Sequence, residues 1–375
     1  MKTNYKLSGT PNSPVLIFSN SLGSTLEMWD ELVPYLLPYF RILQYDTRGH
    51  GGSDAPSDPY TIETLGQDVL QLMDDLNIEK AAFCGLSMGG LIGQWLGINA
   101  PERFTHLILS NTAAKIGTEE RWSERIQNIT ENGMSVLADS TMSVWFTDGF
   151  RQQHPAKEQW ARTMVLENNI TGYANCCAAI GAADFRATIK NIPLKTLVIT
   201  GDEDPVTTAE HAEFMANEIP DAHVQLFPAR HLASTELPEA FAKALIDFAV
   251  GTTIFDQGMH VRRTVLGSEH VDRAQGNINE FNEAFQDLVA NVPWGMVWTR
   301  SGLSKHQRSL VTLSMMIALN RTPEFKMHVR AAINNGVTPD EIKELILQSA
   351  IYCGFPAANE AYHSAQEVLS DLNLI

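Results

Sequence analysis

From Val15 to about Val250 the chain alternates short apolar runs with longer stretches whose apolar residues recur every three or four positions. The runs are Val15–Phe18, Arg41–Tyr45, Ala81–Cys84, His106–Leu109, Thr196–Thr200 and Val224–Phe227. Each has the length of a buried strand, and strands that alternate with helical segments build a parallel sheet covered on both faces. The alternation lapses between about 115 and 194. There Arg121–Leu137 and Gln159–Asn169 show helical periodicity with no strand between them, which predicts a helical cap inserted in the α/β domain. Gly251-Thr252-Thr253 closes the last helix of that domain, and the remainder reads as almost wholly helical. Its predicted helices are Asn277–Val289, Lys305–Leu319, Pro323–Asn334 and Pro339–Ile351, the last halted by Gly354 and Pro356. The expected organisation is thus an α/β domain over 1–250 and an all-α domain over 257–375, with no internal repeat relating them.

Composition narrows the class. The 375 residues are 44% hydrophobic and 19% charged, as in a globular protein. The net charge of −17 excludes a nucleic-acid binder, which needs a basic face to displace counterions from phosphates. That charge is uneven: residues 1–250 carry 17 Lys and Arg against 31 Asp and Glu, whereas 251–375 carry 10 against 13. No run approaches the roughly 20 apolar residues of a membrane span, and no signal core follows Met1, so no membrane partner and a cytoplasmic location are expected. The four cysteines, Cys84, Cys176, Cys177 and Cys353, are too few and scattered for a disulfide framework and read as reduced thiols.

Chemistry enters at Gly85-Leu86-Ser87-Met88-Gly89, between the run Ala81–Cys84 and a helical stretch Leu91–Asn99. Small residues on either side of a serine let the chain turn sharply from strand to helix and leave the hydroxyl exposed. Such a serine needs a histidine to take its proton and a carboxylate to fix the histidine's tautomer, in the chain order Ser, Asp, His. Gly201-Asp202-Glu203-Asp204-Pro205 places three carboxylates just past a strand, of which Asp204 is favoured and Asp202 and Glu203 read as solvated loop charge. His231 follows the run Val224–Phe227 on a loop and is the expected base, while His211 and His223 suit surface or packing roles. The oxyanion of the tetrahedral intermediate needs two backbone donors, expected at Met88, after the nucleophile, and at Leu22 in the loop Ser19–Ser24.

On these residues, with Asp46-Thr47-Arg48-Gly49-His50-Gly51, the region 1–250 resembles the α/β-hydrolases, and Asn20-Ser21-Leu22-Gly23 and Leu86–Gly90 make it similar to the 3-oxoadipate enol-lactonases. His50 reads as structural in its turn.

The carboxyl-terminal part carries Gly258–Gly267, His270-Val271-Asp272-Arg273-Ala274, Trp294-Gly295, Arg300–Leu303, Arg308-Ser309-Leu310, Glu324–His328, Asn335-Gly336-Val337-Thr338 and Tyr352–Pro356. From about 257 to the end it resembles the 4-carboxymuconolactone decarboxylases. Its histidines show no ligand spacing with cysteine and no glycine-rich phosphate loop is present, so a reaction without cofactor or metal is implied. Glu324 and His328 are four apart on a predicted helix, so the carboxylate can orient the imidazole or raise its pKa; the same spacing also suits an exposed pair of little energetic worth. Relative to His328, the cysteine positions of a thiol peroxidase motif hold Arg321 and Glu324, which disfavours that chemistry.

The two resemblances name consecutive steps of the protocatechuate branch of aromatic breakdown. They imply a bifunctional enzyme acting on small anionic lactones. Its second domain would decarboxylate 4-carboxymuconolactone, with His328 managing the proton and Arg308 holding a carboxylate or oxyanion. Its first domain would open the resulting enol-lactone with Ser87, His231 and Asp204. Because the first domain is acidic, local cations must hold the substrate, and Arg162, Arg121 and Arg125 of the cap are candidates, with Trp145 and Trp160 as pocket walls or cap packing. The alternative is a general serine esterase or lactonase whose helical half only oligomerises. Resemblance of that half to oligomer-forming folds implies a homo-oligomer.

Overall fold

The computed structural model describes residues Met1–Ile375. Seven strands, β1 (Tyr5–Ser8), β2 (Val15–Ser19), β3 (Arg41–Tyr45), β4 (Ala81–Leu86), β5 (Phe104–Ser110), β6 (Thr196–Gly201) and β7 (Ala222–Phe227), form one sheet in the order β1-β3-β2-β4-β5-β6-β7. Neighbours from β2 through β7 in that order run parallel, with Ser19 opposite Gly85, Leu86 opposite Ser110 and Gly201 opposite Phe227. The carboxyl ends of these strands therefore lie along one edge, where open α/β sheets bind ligands. β1 escapes the hydrophobic pattern because its four residues are half exposed.

After the short α1 (Val33–Leu36), the helices of this unit are α2 (Ile62–Asp75), α3 (Met88–Asn99), the cap helices α4 (Glu119–Asn132), α5 (Ala138–Trp145), α6 (Asp148–Gln153), α7 (Pro155–Leu166) and α8 (Ile170–Ala182), then α9 (Ala209–Glu218), α10 (Ala233–Glu236) and α11 (Pro238–Ala249). Every residue of β4 is buried and α3 has nine buried positions, so the strand and helix that carry Ser87 form the centre of the core. The cap has no strand. The expected helix 121–137 is split by Gly133, whose φ of 79° ends α4, and the expected helix 159–169 starts earlier, at Pro155, and stops at Leu166, before Asn169 caps α8.

The second unit is helical: α12 (Ile254–Leu266), α13 (Ser268–Gly276), α14 (Glu283–Val289), α15 (Lys305–Ala318), α16 (Thr322–Asn334), α17 (Pro339–Cys353) and α18 (Phe355–Asp371), with a π-helical stretch over Ala290–Val297 around Pro293. Backbone contacts divide the chain at Ala249/Val250, and two short segments, 8–14 and 34–41, group with this second unit. Leu313, Phe325, Val329, Ile342, Ile346 and Val368 centre its main core, and Met259, Val271 and Ala290 form a smaller one. The helix expected from Asn277 begins only at Glu283. Asn279 and Asn282 capture backbone N–H groups at Phe281 and Asn279, an alternative to helix that asparagine favours. Gly354 and Pro356 do end α17, but they also open α18, because proline is tolerated in a first turn. No helix is long and apolar enough to cross a membrane.

Candidate active site

Ser87 sits between β4 and α3 with φ 58° and ψ −110°, a strained conformation for a residue with a Cβ. The turn is possible because its neighbours are glycines: a Cβ on Gly85 would lie 2.0 Å from the Gly89 carbonyl oxygen, and one on Gly89 would lie 2.2 Å from that of Ser19. The strained residue is held at both ends, its amide donating to Ser110 O at 2.9 Å and its carbonyl accepting from Thr112 Oγ1 at 2.8 Å.

Asp204 and His231 lie past the ends of β6 and β7. Asp204 Oδ2 accepts from His231 Nδ1 at 2.7 Å, from Thr207 Oγ1 at 2.6 Å and from Asn111 Nδ2 at 3.0 Å, while Oδ1 accepts the amides of Val206 and Thr207 at 2.9 and 3.1 Å. Burial alone would raise the Asp204 carboxyl. His231 and the donors Asn111 and Thr207 outweigh burial and hold it well below the usual carboxylate range. A charged Asp204 holds a proton on His231 Nδ1, which leaves Nε2 as the atom that can accept one. No motif in the sequence points to Asn111 or Thr207. Asn111 sits just past β5, with φ 42°, and its amide also donates to Arg230 O at 3.2 Å.

The loop after β2 is clamped from several sides. Asn20 bridges Tyr45 O and Trp29 Nε1, His50 Nε2 accepts the Gly23 amide at 2.9 Å, and Asn168 donates to Gly23 O at 3.0 Å. Burial pushes His50 down to about 4, so it is the neutral acceptor that this amide requires. The amides of Leu22 and Met88 make no hydrogen bond within the chain, although Leu22 and Met88 are both buried. Two unused donors beside the serine are the arrangement an oxyanion needs.

Ser87, His231, Leu22 and Trp145 line one cavity of about 470 Å³, roofed by α4 and α5. The Ser87 hydroxyl and the His231 ring make no hydrogen bond to each other there. Arg121, Arg125 and His211 also line it; His211 is exposed, and its Nδ1 accepts the Thr208 amide at 3.1 Å as part of the cap of α9. Arg125 donates to Tyr173 Oη through Nε at 3.0 Å and Nη2 at 2.6 Å. Arg162 does not reach this cavity: Asp139 at 2.7 Å and Glu158 at 3.4 Å engage it on the cap surface. Trp160 lies under Lys157 and borders a different cleft. The loop of the base is tied to the cap, with Leu232 N donating to Trp145 O at 3.0 Å and Arg230 Nη1 to Ser143 O at 2.7 Å. Glu236 accepts from Arg230 N at 2.7 Å and from Thr147 Oγ1 at 2.6 Å.

In the helical unit, Glu324 and His328 share α16 without a hydrogen bond between them. Glu324 does not raise His328 overall. Burial, reinforced by His270, pushes the imidazole down to about 4 and outweighs the carboxylate. Arg308 donates to Arg300 O at 3.0 Å and pairs with no carboxylate; nothing joins it to His328 or Glu324. His270, which acts on His328 from α13, has no spacing in the sequence that marks it as a site residue.

Two family models match the chain: the alpha/beta hydrolase fold over residues 14–236 and the carboxymuconolactone decarboxylase family over 283–367. The chain belongs to the α/β hydrolase fold family. The helical part of this α/β hydrolase is a carboxymuconolactone decarboxylase family domain, 51% identical over 120 residues to 4-carboxymuconolactone decarboxylase of Acinetobacter baylyi, covering 32% of this chain and 90% of that protein. The hydrolase part is 42% identical over 242 residues to 3-oxoadipate enol-lactonase 2 of the same organism, covering 64% of this chain and 91% of the relative. It also superposes on the crystal structure of the enol-lactonase from Burkholderia xenovorans with a TM-score of 0.65 and 41% identity, over 66% of this chain and 95% of that one. This α/β hydrolase is therefore an enzyme that fuses two units whose relatives are separate proteins.

Proposed function

We propose that the chain converts 4-carboxymuconolactone to 3-oxoadipate in two steps, one in each unit. In the helical unit the bond from the ring carbon to its carboxylate breaks and CO2 leaves. The electron pair delocalises into the lactone carbonyl, and a proton is then added at the carbon next to that carbonyl, which gives the enol-lactone. His328 is neutral when the site is empty, and a bound polyanion raises its pKa, so it takes up the proton that it later delivers. Glu324 serves at most to orient it, and Arg308 remains the sequence-based candidate for a carboxylate contact.

In the hydrolase unit Ser87 Oγ attacks the lactone carbonyl as His231 Nε2 takes its proton, and the amides of Leu22 and Met88 receive the oxyanion. The ring oxygen leaves as an enol, protonated by His231, and becomes a ketone. Water activated by His231 then releases the acid from Ser87. Arg121 and Arg125, one turn apart on α4, are the cations placed to hold the substrate's free carboxylate, and Trp145 walls the cavity. The observation that carries this reading is the convergence of Ser87, the His231–Asp204 pair and two arginines on one capped cavity, in a chain whose other unit matches a decarboxylase. We also infer a homo-oligomer, since α17 and the start of α18 expose Leu347, Ile351, Tyr352 and Phe355.

The test gives 4-carboxymuconolactone to Ser87→Ala and His328→Ala proteins and follows the ultraviolet spectrum. Ser87→Ala accumulates enol-lactone, and His328→Ala leaves the first lactone unconsumed. A wild-type protein that ignores the first lactone, or a Ser87→Ala protein that cannot consume it, refutes the two-step reading.

A further inference from the structure

Arg262 is the least reconciled charge in the helical unit. It lies in α12, is 6% exposed, and its Nε is buried without a hydrogen-bond partner. Nη1 reaches only Gln286 Oε1 at 3.5 Å, the long limit of a hydrogen bond, and no carboxylate pairs with it. The adjacent Arg263, by contrast, pairs with Asp272. A guanidinium stays protonated in proteins, and an uncompensated buried charge is strongly unfavourable. Nor does Arg262 brace the backbone, because it donates to no main-chain carbonyl.

The surroundings contain little else to neutralise it. α12 packs against α13, which carries His270, and against α16, which carries His328. Burial and then the Arg262 charge depress His270, and burial and then His270 depress His328, so both rings are neutral near pH 7. Glu324, the acid nearest in sequence to His328, is exposed. The buried cation therefore lacks its anion within the chain.

We propose that Arg262 is the anion anchor of the helical unit's site, taking a carboxylate of a small polycarboxylic acid, with His270 of α13 and His328 of α16 as the adjoining imidazoles. This rests on reading that unit as a decarboxylase, and it moves to Arg262 the carboxylate contact that the sequence alone assigns to Arg308. A carboxylate held by a planar two-pronged donor fixes the orientation of the bond to be broken.

The experiment compares wild type, Arg262→Met and Arg262→Lys in the full chain, with enol-lactone hydrolysis as the measure of folded protein in each sample. Succinate, at constant ionic strength, raises the melting temperature of wild type, and Arg262→Met removes that rise while melting no lower than wild type without succinate. KM for 4-carboxymuconolactone rises about 10- to 150-fold in Arg262→Met, the range for losing hydrogen bonds to a charged group. Arg262→Lys, which keeps the charge and loses the fork, falls between. An Arg262→Met protein that keeps the succinate response and the wild-type KM overturns the proposal. So does one that melts earlier or changes its assembly mass while Arg262→Lys behaves as wild type, because Arg262 would then be structural or paired across an interface. A wild type that leaves 4-carboxymuconolactone untouched but shows the Arg262-dependent succinate rise refutes the decarboxylase reading and retains the anion site.

Discussion

Replacing Asp204 with asparagine isolates the electrostatic part of the proposed hydrolase site, because the side chain keeps its shape. Asp204 Oδ1 keeps its two amide donors, whereas an NH2 group in place of Oδ2 meets three donors, from His231, Thr207 and Asn111. The Thr207 hydroxyl can rotate to accept. His231 can accept only by moving its proton to Nε2, which aims that proton at Ser87 and removes the base. An asparagine in place of the aspartate of a Ser-His-Asp triad lowers kcat by about 10⁴, equivalent to about 5.5 kcal/mol of transition-state stabilisation. The lost charge-assisted hydrogen bond, with one remaining donor unmatched, costs about 2–4 kcal/mol in folding stability. The second activity serves as an internal control, since initial rates of enol-lactone hydrolysis fall while decarboxylation by the same sample does not. A hydrolysis loss below tenfold, in protein whose decarboxylation is intact, refutes the role given to Asp204.

His50 sets an acid limit. Its folded pKa of about 4 lies below the unfolded 6.5, so its stabilising contribution is complete above pH 6.5 and lost as pH falls from 6.5 toward 4. Urea titration should show the stability difference between wild type and His50→Gln changing by about 2–3 kcal/mol between pH 7.5 and 4.5. Arg125→Gln should raise KM for the enol-lactone about 10- to 100-fold, whereas Arg162→Gln, whose partners lie on the cap surface, should leave it within about twofold. Light scattering of wild type should give a multiple of the chain mass, and Leu347→Glu with Ile351→Glu should lower it, since two charges on a shared apolar face oppose association.

Six of the seven strands read as short apolar runs, and five of them, β2 to β6, do so because they are largely buried, whereas β7 is exposed along most of its length. Ser87, Asp204 and His231 could be found because each follows such a run, and parallel pairing brings the carboxyl ends of those runs to one edge. Periodicity marked the cap as helical but not which face of each helix turns inward, so Arg162 stood equal to Arg121 and Arg125 until packing separated them. Asn111 was opaque for a different reason, since it works through a partner far along the chain, Asp204; His50 read as structural in its turn, but its partner Gly23 could not be read from spacing. The Glu324 spacing gave the sign of one influence on His328, but burial, which depends on every surrounding helix, set the outcome.

The bonds that join Arg230, Leu232 and Glu236 to residues 143–147 make the cap on that side a latch. Lifting α5 would pull on the short segment that aims His231 at Asp204, so a molecule with that flank open would have a disordered base. Passage of substrate and product is better served on the α4 flank, where α4 is tied to α8 through Arg125 and Tyr173 rather than to the base. Swapping one cap for another between such hydrolases would then transplant catalytic alignment along with substrate preference, unless the 143–147 segment is carried with its own histidine loop.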